Sequence, residues 1–385
     1  MSSNNRGRDG IIAGYLLKLA RESTGCTQAE MAQRLSIDPH TLHSWETGRR
    51  SLAATNVRDL VQLRLQLFNL GVDSLLIDCL NTALEADYIL SEILNCDAPQ
   101  IDLYHHPLTN WLLPHSVSEM LAWPLTNTTP SAIAHVIPKT PRRGPVAPGP
   151  VLSLPERTQF FRNLSAAADL VLQQQELGGT HSSLLAHQLY LRVGWNNQPD
   201  TAEWLRAVYI QHLKRYPRFD RWSPQWLERR SLVIALAGRG DPEPIQRFIR
   251  TAHSSDECEM ANLNYWAYWA GELHERQRSQ DFMVNATALR SWTGLTLMRR
   301  LTDKLVPANP NLELNIHSIA VLLRRSITTH VLEEDAELCS SIETKVARLF
   351  DHETILSTHA RSELADIHKR MTYLSNSRRP HLKVG

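Results

Sequence analysis

TQAEMAQRLSIDPHTLHSWETGRR, residues 27–50, decides the fold of the first part of the chain. Thr27 and Glu30 have the spacing of a capping box, in which the threonine accepts from the Glu30 N–H and the glutamate reaches back to the cap. A helix is therefore predicted to begin here. Asp38 followed by Pro39 predicts a second start, because aspartate caps a helix and proline fits its first position.

The second of these helices has an apolar side and a polar side. Leu42 and Trp45 are three residues apart and are predicted to face inward, and Gly48 is predicted to end the helix. The residues predicted to face outward are His40, Thr41, His43 and Ser44. Two short helices joined by a tight turn, with such a polar outer side, fit the major groove of DNA. The pattern predicts a helix-turn-helix bundle over residues 11–70.

Phosphate contacts are predicted at both ends of this motif. The N-terminus of the first helix presents free backbone N–H groups, capped by Thr27 and with Gln28 beside them, to a phosphate. Arg49 and Arg50 follow the second helix and can neutralise further phosphates. Residues 1–70 carry 9 Lys and Arg against 6 Asp and Glu, whereas residues 71–155 carry 3 against 8. This asymmetry would direct an anionic partner to the N-terminal region that contains the motif.

The stretch resembles the lambda-repressor/Cro-like helix-turn-helix family, also called the xenobiotic-response-element family. The overall layout resembles its large actinobacterial regulators. The resemblance implies that Gln28 holds a phosphate, and that the bases face Pro39, His40, Thr41, His43 and Ser44. The sequence departs from the family at Pro39, where a polar residue is usual, and at Ser44, where Arg or Lys is frequent. Base readout would then depend on His and Thr.

The rest of the chain is predicted to be all-α, in four parts. Residues 1–10 are polar and are predicted to be a disordered arm. Residues 71–96 are predicted to form a connecting helix whose apolar stripe, from Leu76 to Leu94, makes a homodimer plausible. Residues 97–155 hold eleven of the 20 prolines and are predicted to be a linker, partly docked. Residues 156–385 are helical in pattern, either a bundle or an irregular α-solenoid, for dimerisation, effector or partner binding.

Signs of other chemistry are weak. The sequence contains no GxGxxG, GxxxxGK, HExxH or GxSxG motif, so we expect no enzyme and no cofactor. Four aromatic residues could line an effector pocket but are better interpreted as core: Tyr265, Trp266, Tyr268 and Trp269. A second group of possible ligands would share one helix face: His352, His359, Glu363 and Asp366. The two histidines are seven residues apart and would lie ~10 Å from each other, so no metal site is predicted.

The five cysteines are scattered without CxxC spacing, which favours a reducing cytoplasm over a disulfide framework. No apolar run reaches membrane-spanning length and the first residues do not form a signal peptide, so we expect no membrane partner. The resemblance implies a bacterial protein in the cytoplasm, at the nucleoid. The leading hypothesis is a sequence-specific transcriptional regulator of double-stranded DNA, responding to a small-molecule or protein effector. The alternatives are a helical scaffold with a secondary DNA-binding module and an enzyme tethered to DNA.

Overall fold

The computed structural model describes residues 9–96, 101–137, 147, 149–176, 183–252, 255–285, 292–325, 332–333, 335–351 and 356–378. Within these ranges the regular structure is helical and contains no strand, which confirms the all-α prediction. The chain divides into two compact units, unit 1 (residues 1–180) and unit 2 (residues 181–385). None of the described helices is both long and apolar enough to cross a bilayer.

Unit 1 contains seven described α-helices. They are α1 (Ile11–Ser23), α2 (Gln28–Arg34), α3 (Pro39–Glu46), α4 (Val57–Asn69), α5 (Ser74–Asn95), α6 (His115–Thr126) and α7 (Leu154–Glu176). The centre of the unit is α5, which packs against α1, α4, α6 and α7. Its apolar stripe is buried in these contacts: Leu76, Leu80, Ala83 and Leu90 are each at most 2% exposed. The prediction that this stripe forms a dimer contact is therefore wrong, because helices of the same chain already cover it.

The polar interruption in the α5 stripe is Asp87, whose side chain is 1% exposed. Its two carboxylate oxygens accept hydrogen bonds from the backbone N–H groups of Ile12 and Ala13, each at 2.9 Å. These donors belong to the first turn of α1, where no intrahelical acceptor exists. The residue before α1, Gly10, has no side chain to cap it, so Asp87 is the cap of α1 supplied from another helix.

Residues 101–137, the earlier part of the predicted, partly docked linker, are folded and packed in the structure. This region contains α6 and a buried apolar set that includes Leu108, Leu112 and Trp123. Its prolines exclude long helices but allow short ones: Pro114 precedes the first residue of α6, and Pro124 lies two residues before its end. Residues 138–146 and 148, the most proline-rich part, lie outside the described residues, as do residues 1–8 of the predicted arm.

The boundary between the two predicted large regions also differs from the structure. The sequence places the division after residue 155, at the last of the clustered prolines, but α7 belongs to unit 1 and packs against α5. Asn163 of α7 donates a hydrogen bond from Nδ2 to the Ile93 carbonyl at 2.8 Å and another to the Cys96 carbonyl at 2.7 Å, near the end of α5. The folded region around the motif is therefore larger than residues 11–70.

Unit 2 contains nine described α-helices. They are α8 (Ser183–Val193), α9 (Pro199–Arg215), α10 (Pro224–Ala237), α11 (Glu243–Ala252), α12 (Asp256–Ala270), α13 (Leu295–Asp303), α14 (Leu312–Arg324), α15 (Ala336–Phe350) and α16 (Thr358–Arg378). Two of them are central: α10 packs on α8, α9 and α11, while α14 packs on α11, α12, α13 and α16. The predicted multi-helix C-terminal region is thus confirmed.

The aromatic segment of unit 2 belongs largely to its core. Tyr265 and Tyr268 on α12 are buried, and Trp266 and Trp269 are half-buried. The guanidinium of Arg230 stacks over the rings of Tyr265 and Trp266, 4.0 and 4.8 Å from their centroids. Burial lowers the pKa of Arg230 to about 10, so the side chain stays charged at neutral pH and the rings supply part of its stabilisation.

Candidate nucleic-acid interface

The start of α2 is fixed by the predicted capping box, which the structure confirms. Thr27 Oγ1 accepts from the Glu30 N–H at 3.3 Å, and Glu30 Oε2 accepts from the Thr27 N–H at 2.8 Å. The Thr27 N–H and the Thr27 hydroxyl both donate to Glu30 Oε2 and lower the pKa of Glu30, so its carboxylate stays ionised at neutral pH. Thr27 and Glu30 are exposed, so the first turn of α2 lies at the surface.

The turn between α2 and α3 is short and closes by backbone contacts. Leu35 ends α2, Ser36 takes the left-handed conformation at φ 55°, and the Ile37 N–H donates to the Ala32 carbonyl at 3.0 Å. Asp38 then accepts from the His40 N–H at 2.8 Å, with Pro39 as the first residue of α3. The predicted start of α3 is confirmed, and this turn sets the angle between the two helices.

The predicted two sides of α3 are present in the structure. Leu42 is fully buried and Trp45 is 7% exposed, so both anchor the helix to the core of unit 1. On the other side, Pro39 and His40 are exposed, whereas Thr41, His43 and Ser44 are partly exposed. The side chains predicted to read bases thus share one accessible surface of α3, which we call the outer face.

Close packing on α1 sets the position of α3. Gly14 of α1 lies so near that a Cβ atom built on it would be 2.0 Å from the backbone carbonyl oxygen of Trp45. Real Cβ atoms are not found so close to other heavy atoms, so only glycine permits this approach. The contact occurs on the opposite side of α3 from the outer face, and it fixes how far that face projects.

A buried carboxylate that sequence reasoning missed joins all three helices of the motif. Glu46, at the end of α3, accepts from Arg21 Nε at 2.6 Å and from Arg21 Nη2 at 3.0 Å, a bidentate pair. It also accepts from Gln28 Nε2 at 2.7 Å. The only sequence signal was position, since Glu46 follows the inward-facing Trp45 directly.

The same contact bears on the role of Gln28. The resemblance assigns Gln28 to a phosphate, but the structure places its amide nitrogen on Glu46. An amide nitrogen carries two hydrogens, so one N–H is left for a second acceptor. Gln28 therefore orients α2 against α3 through one hydrogen, and any phosphate contact depends on the other.

Arg49 and Arg50 lie just beyond α3 and are exposed, as the prediction of phosphate contacts requires. Gly48 before them has φ 68°, the left-handed value of a C-terminal glycine, which confirms the predicted end of the helix. A cavity beside Arg49 is bordered by Lys18 of α1 and by residues 149–151. The chain after the proline-rich stretch thus returns to the motif.

The comparisons with known proteins agree with this geometry. Residues 13–65 match the model of a helix-turn-helix domain family, a range that begins within α1 and ends within α4. No curated protein and no solved structure matches the chain. The chain therefore contains a helix-turn-helix domain, and unit 2 has no match that would indicate its role.

Proposed function

We propose that this protein is a sequence-specific transcriptional regulator that inserts α3 into the major groove of double-stranded DNA. The observation that carries the proposal is the outer face of α3, which stays accessible although the helix is anchored by Leu42 and Trp45. A helix in this position can reach base edges without rearrangement of unit 1. We also propose that the domain is of the lambda-repressor/Cro-like type and that the protein acts in a bacterial cytoplasm, at the nucleoid.

The chemistry of the outer face suggests how bases would be read. It presents two imidazoles and two hydroxyls, from His40, His43, Thr41 and Ser44, and no Arg or Lys for a bidentate contact to guanine. Arg49 and Arg50 would supply sequence-independent attraction to phosphates. We therefore expect affinity to depend on the arginines and sequence preference to depend on the histidines.

We also propose a homodimer, through α4 and not through α5. Buried Leu63 and Leu67 hold α4 to the unit, yet Val57, Val61, Leu65 and Phe68 are 48–77% exposed. These four side chains recur every three or four residues and form one stripe on the opposite side of α4. An exposed apolar stripe of this kind marks a protein contact. A second copy fits best, because α4 begins at Val57, seven positions after Arg50, so a two-fold contact here would place two copies of α3 on neighbouring half-sites.

The test uses the full chain, because removing α6 and α7 would uncover the apolar side of α5. Genomic DNA fragments captured by the protein should share a sequence, and affinity should fall steeply with salt. Replacing Arg49 and Arg50 by Ala should flatten the slope of log K against log salt by about 2, since each lost phosphate contact removes about 0.9. The double Ala variant of the exposed Arg247 and Arg250 removes the same charge from unit 2 and should leave the slope unchanged.

The second candidate is an interaction protein in which the DNA-binding module is secondary, and the exposed stripe of α4 is the observation that favours it. Capture of DNA without any shared sequence would contradict the regulator and support this reading. In either case we propose no enzymatic activity for the chain, and unit 2 is assigned to effector or partner binding.

A further inference from the structure

Three side chains that can bind a metal ion meet between α14 and α16 of unit 2. They are His317 of α14, and His359 and Glu363 of α16. One ligand atom from each lies within 4.8 Å of the others. His317 Nδ1 is 2.8 Å from Glu363 Oε1, and His359 Nε2 is 3.6 Å from the same oxygen.

These separations are close to what a tetrahedral zinc ion needs. Zinc bonds to histidine nitrogen and carboxylate oxygen of about 2.0–2.2 Å imply distances of roughly 3.3–3.5 Å between neighbouring ligand atoms. The His359–Glu363 distance is near that range already, and the His317–Glu363 pair would need to open by roughly half an ångström. Both pairs that include Glu363 are therefore close to zinc-binding distances, and the ligand atoms of the two histidines lie within 4.8 Å of each other.

The burial of the cluster also favours a cation. The side chains of His317 and Glu363 are 5% and 6% exposed. Glu363 Oε2 is buried and has no hydrogen-bond partner among the residues that the structure describes. A buried carboxylate oxygen without a donor is costly, and a metal ion bound by both oxygens of Glu363 would satisfy it. His359, at 47% exposure, lies toward solvent and leaves a path for the ion.

Both supporting helices are held rigidly, which keeps the ligands in place. His359 and Glu363 are four residues apart, so they lie one turn apart on the same side of α16. Around them, Ile316 and Ala320 of α14 and Leu364 of α16 are buried in one apolar cluster. Ligands on packed helices are positioned more exactly than ligands on loops.

We propose that His317, His359 and Glu363 form a binding site for a divalent transition-metal ion, with zinc as the best fit and a fourth position open to water or an effector. Two imidazoles with one carboxylate suit zinc, whereas magnesium and calcium prefer oxygen ligands alone. The sequence showed only His359 and Glu363; the third ligand comes from another helix. His352, considered with them, lies outside the described residues.

One neighbouring cation must be accommodated. Arg324 Nη1 is 3.4 Å from Glu363 Oε1, and its Nη2 is 3.5 Å from Glu259 Oε1. Half of the Arg324 side chain is exposed, so it can leave Glu363 while keeping Glu259. Because the arginine and the ion would share one oxygen, replacing Arg324 by Gln should tighten metal binding several-fold.

The experiment is calorimetric titration of zinc chloride into the full-length protein after treatment with a chelator. The wild type should bind one ion per chain, and His359→Gln should weaken that site at least ten-fold. His359 is half-exposed, so this variant should keep the fold, which circular dichroism checks. His368→Gln, an exposed histidine on the same helix, is the matched control and should bind as the wild type does.

The proposal would be overturned by a lack of stoichiometric zinc binding in the wild type, or by equal binding in His359→Gln and the wild type. Equally tight binding of magnesium chloride would also overturn it, because this ligand set should discriminate against magnesium. The readout is metal binding and not DNA binding. A lack of metal binding would therefore leave the proposed regulator intact. A lack of sequence-specific DNA binding would likewise leave the metal site intact.

Discussion

Replacing Asp87 by Asn tests whether a cap donated by α5 holds the start of α1. The asparagine keeps one acceptor oxygen, so one of the two N–H groups, of Ile12 or Ala13, loses its partner. A buried N–H without an acceptor costs about 1–3 kcal/mol. We expect this loss to lower the free energy of unfolding of unit 1, and at pH 8 we expect it to be offset by removal of the buried charge that the ionised Asp87 carries there.

The pH dependence gives a sharper signature. Burial raises the pKa of Asp87 from its ordinary value of 3.8 to about 7, although the hydrogen bonds from Ala13 and Ile12 lower it. The folded state thus binds the proton more tightly than the unfolded state, so this contribution is full below pH 3.8 and is lost as the pH rises through 7. Between pH 5 and pH 8 the wild type should lose roughly 2–3 kcal/mol from this group.

The assay is hydrogen–deuterium exchange of peptides from α1 and α5, read by mass spectrometry at pH 5 and pH 8 after correction for intrinsic rates. The stability difference between the wild type and Asp87→Asn should be larger at pH 5 than at pH 8. Asp78→Asn is the control, because Asp78 lies on the same helix with its side chain 71% exposed. An equal difference at both pH values would refute the raised pKa, and unchanged protection of α1 would refute the cap.

Three further predictions concern the motif. Gly14→Ala should lower the free energy of unfolding of unit 1 by about 1–3 kcal/mol in denaturation, because the new Cβ would displace the Trp45 backbone. It should also weaken DNA binding in fluorescence anisotropy, and unchanged stability and DNA binding would contradict this prediction. Glu46→Gln should destabilise unit 1 by roughly 3 kcal/mol in thermal denaturation, since the buried guanidinium of Arg21 loses its countercharge; a neutral effect would contradict it. Leu65→Lys should lower the mass measured by light scattering to that of one chain without changing the circular dichroism, and an unchanged dimer would contradict the α4 contact.

Much of the motif could be predicted because its signals are local. Each signal acts over a few residues, so spacing alone identifies it. The cap at Thr27 lies three residues before its partner Glu30, and the cap at Asp38 lies directly before Pro39. The outer face of α3 could be predicted for the same reason, since helical periodicity separates it from Leu42.

What could not be predicted depends on partners that are distant in sequence. Asp87 looked like an interruption of an apolar stripe because its donors lie about 75 residues earlier. The need for glycine at position 14 depends on a carbonyl of α3, and the metal-ligand cluster depends on His317, more than 40 residues before its partners. How far residues 97–155 are folded could not be predicted either, because proline content indicates which long helices are excluded and not whether short ones pack.

These contacts give α1 a role that its sequence did not suggest. Nine of its 13 residues are buried, and it contacts α5 through its first turn and α3 through Gly14 and Arg21. The outer face of α3 is therefore positioned by α1, which in turn is anchored by Asp87 in the centre of unit 1. A change in the position of α5 or in the protonation of Asp87 would act on the N–H groups of Ile12 and Ala13, which lie two residues and one residue before Gly14, the residue that permits the close approach of α1 and α3. The helix-turn-helix is thus part of a larger folded unit, and the position of the outer face of α3 depends on the packing of residues well outside the matched range.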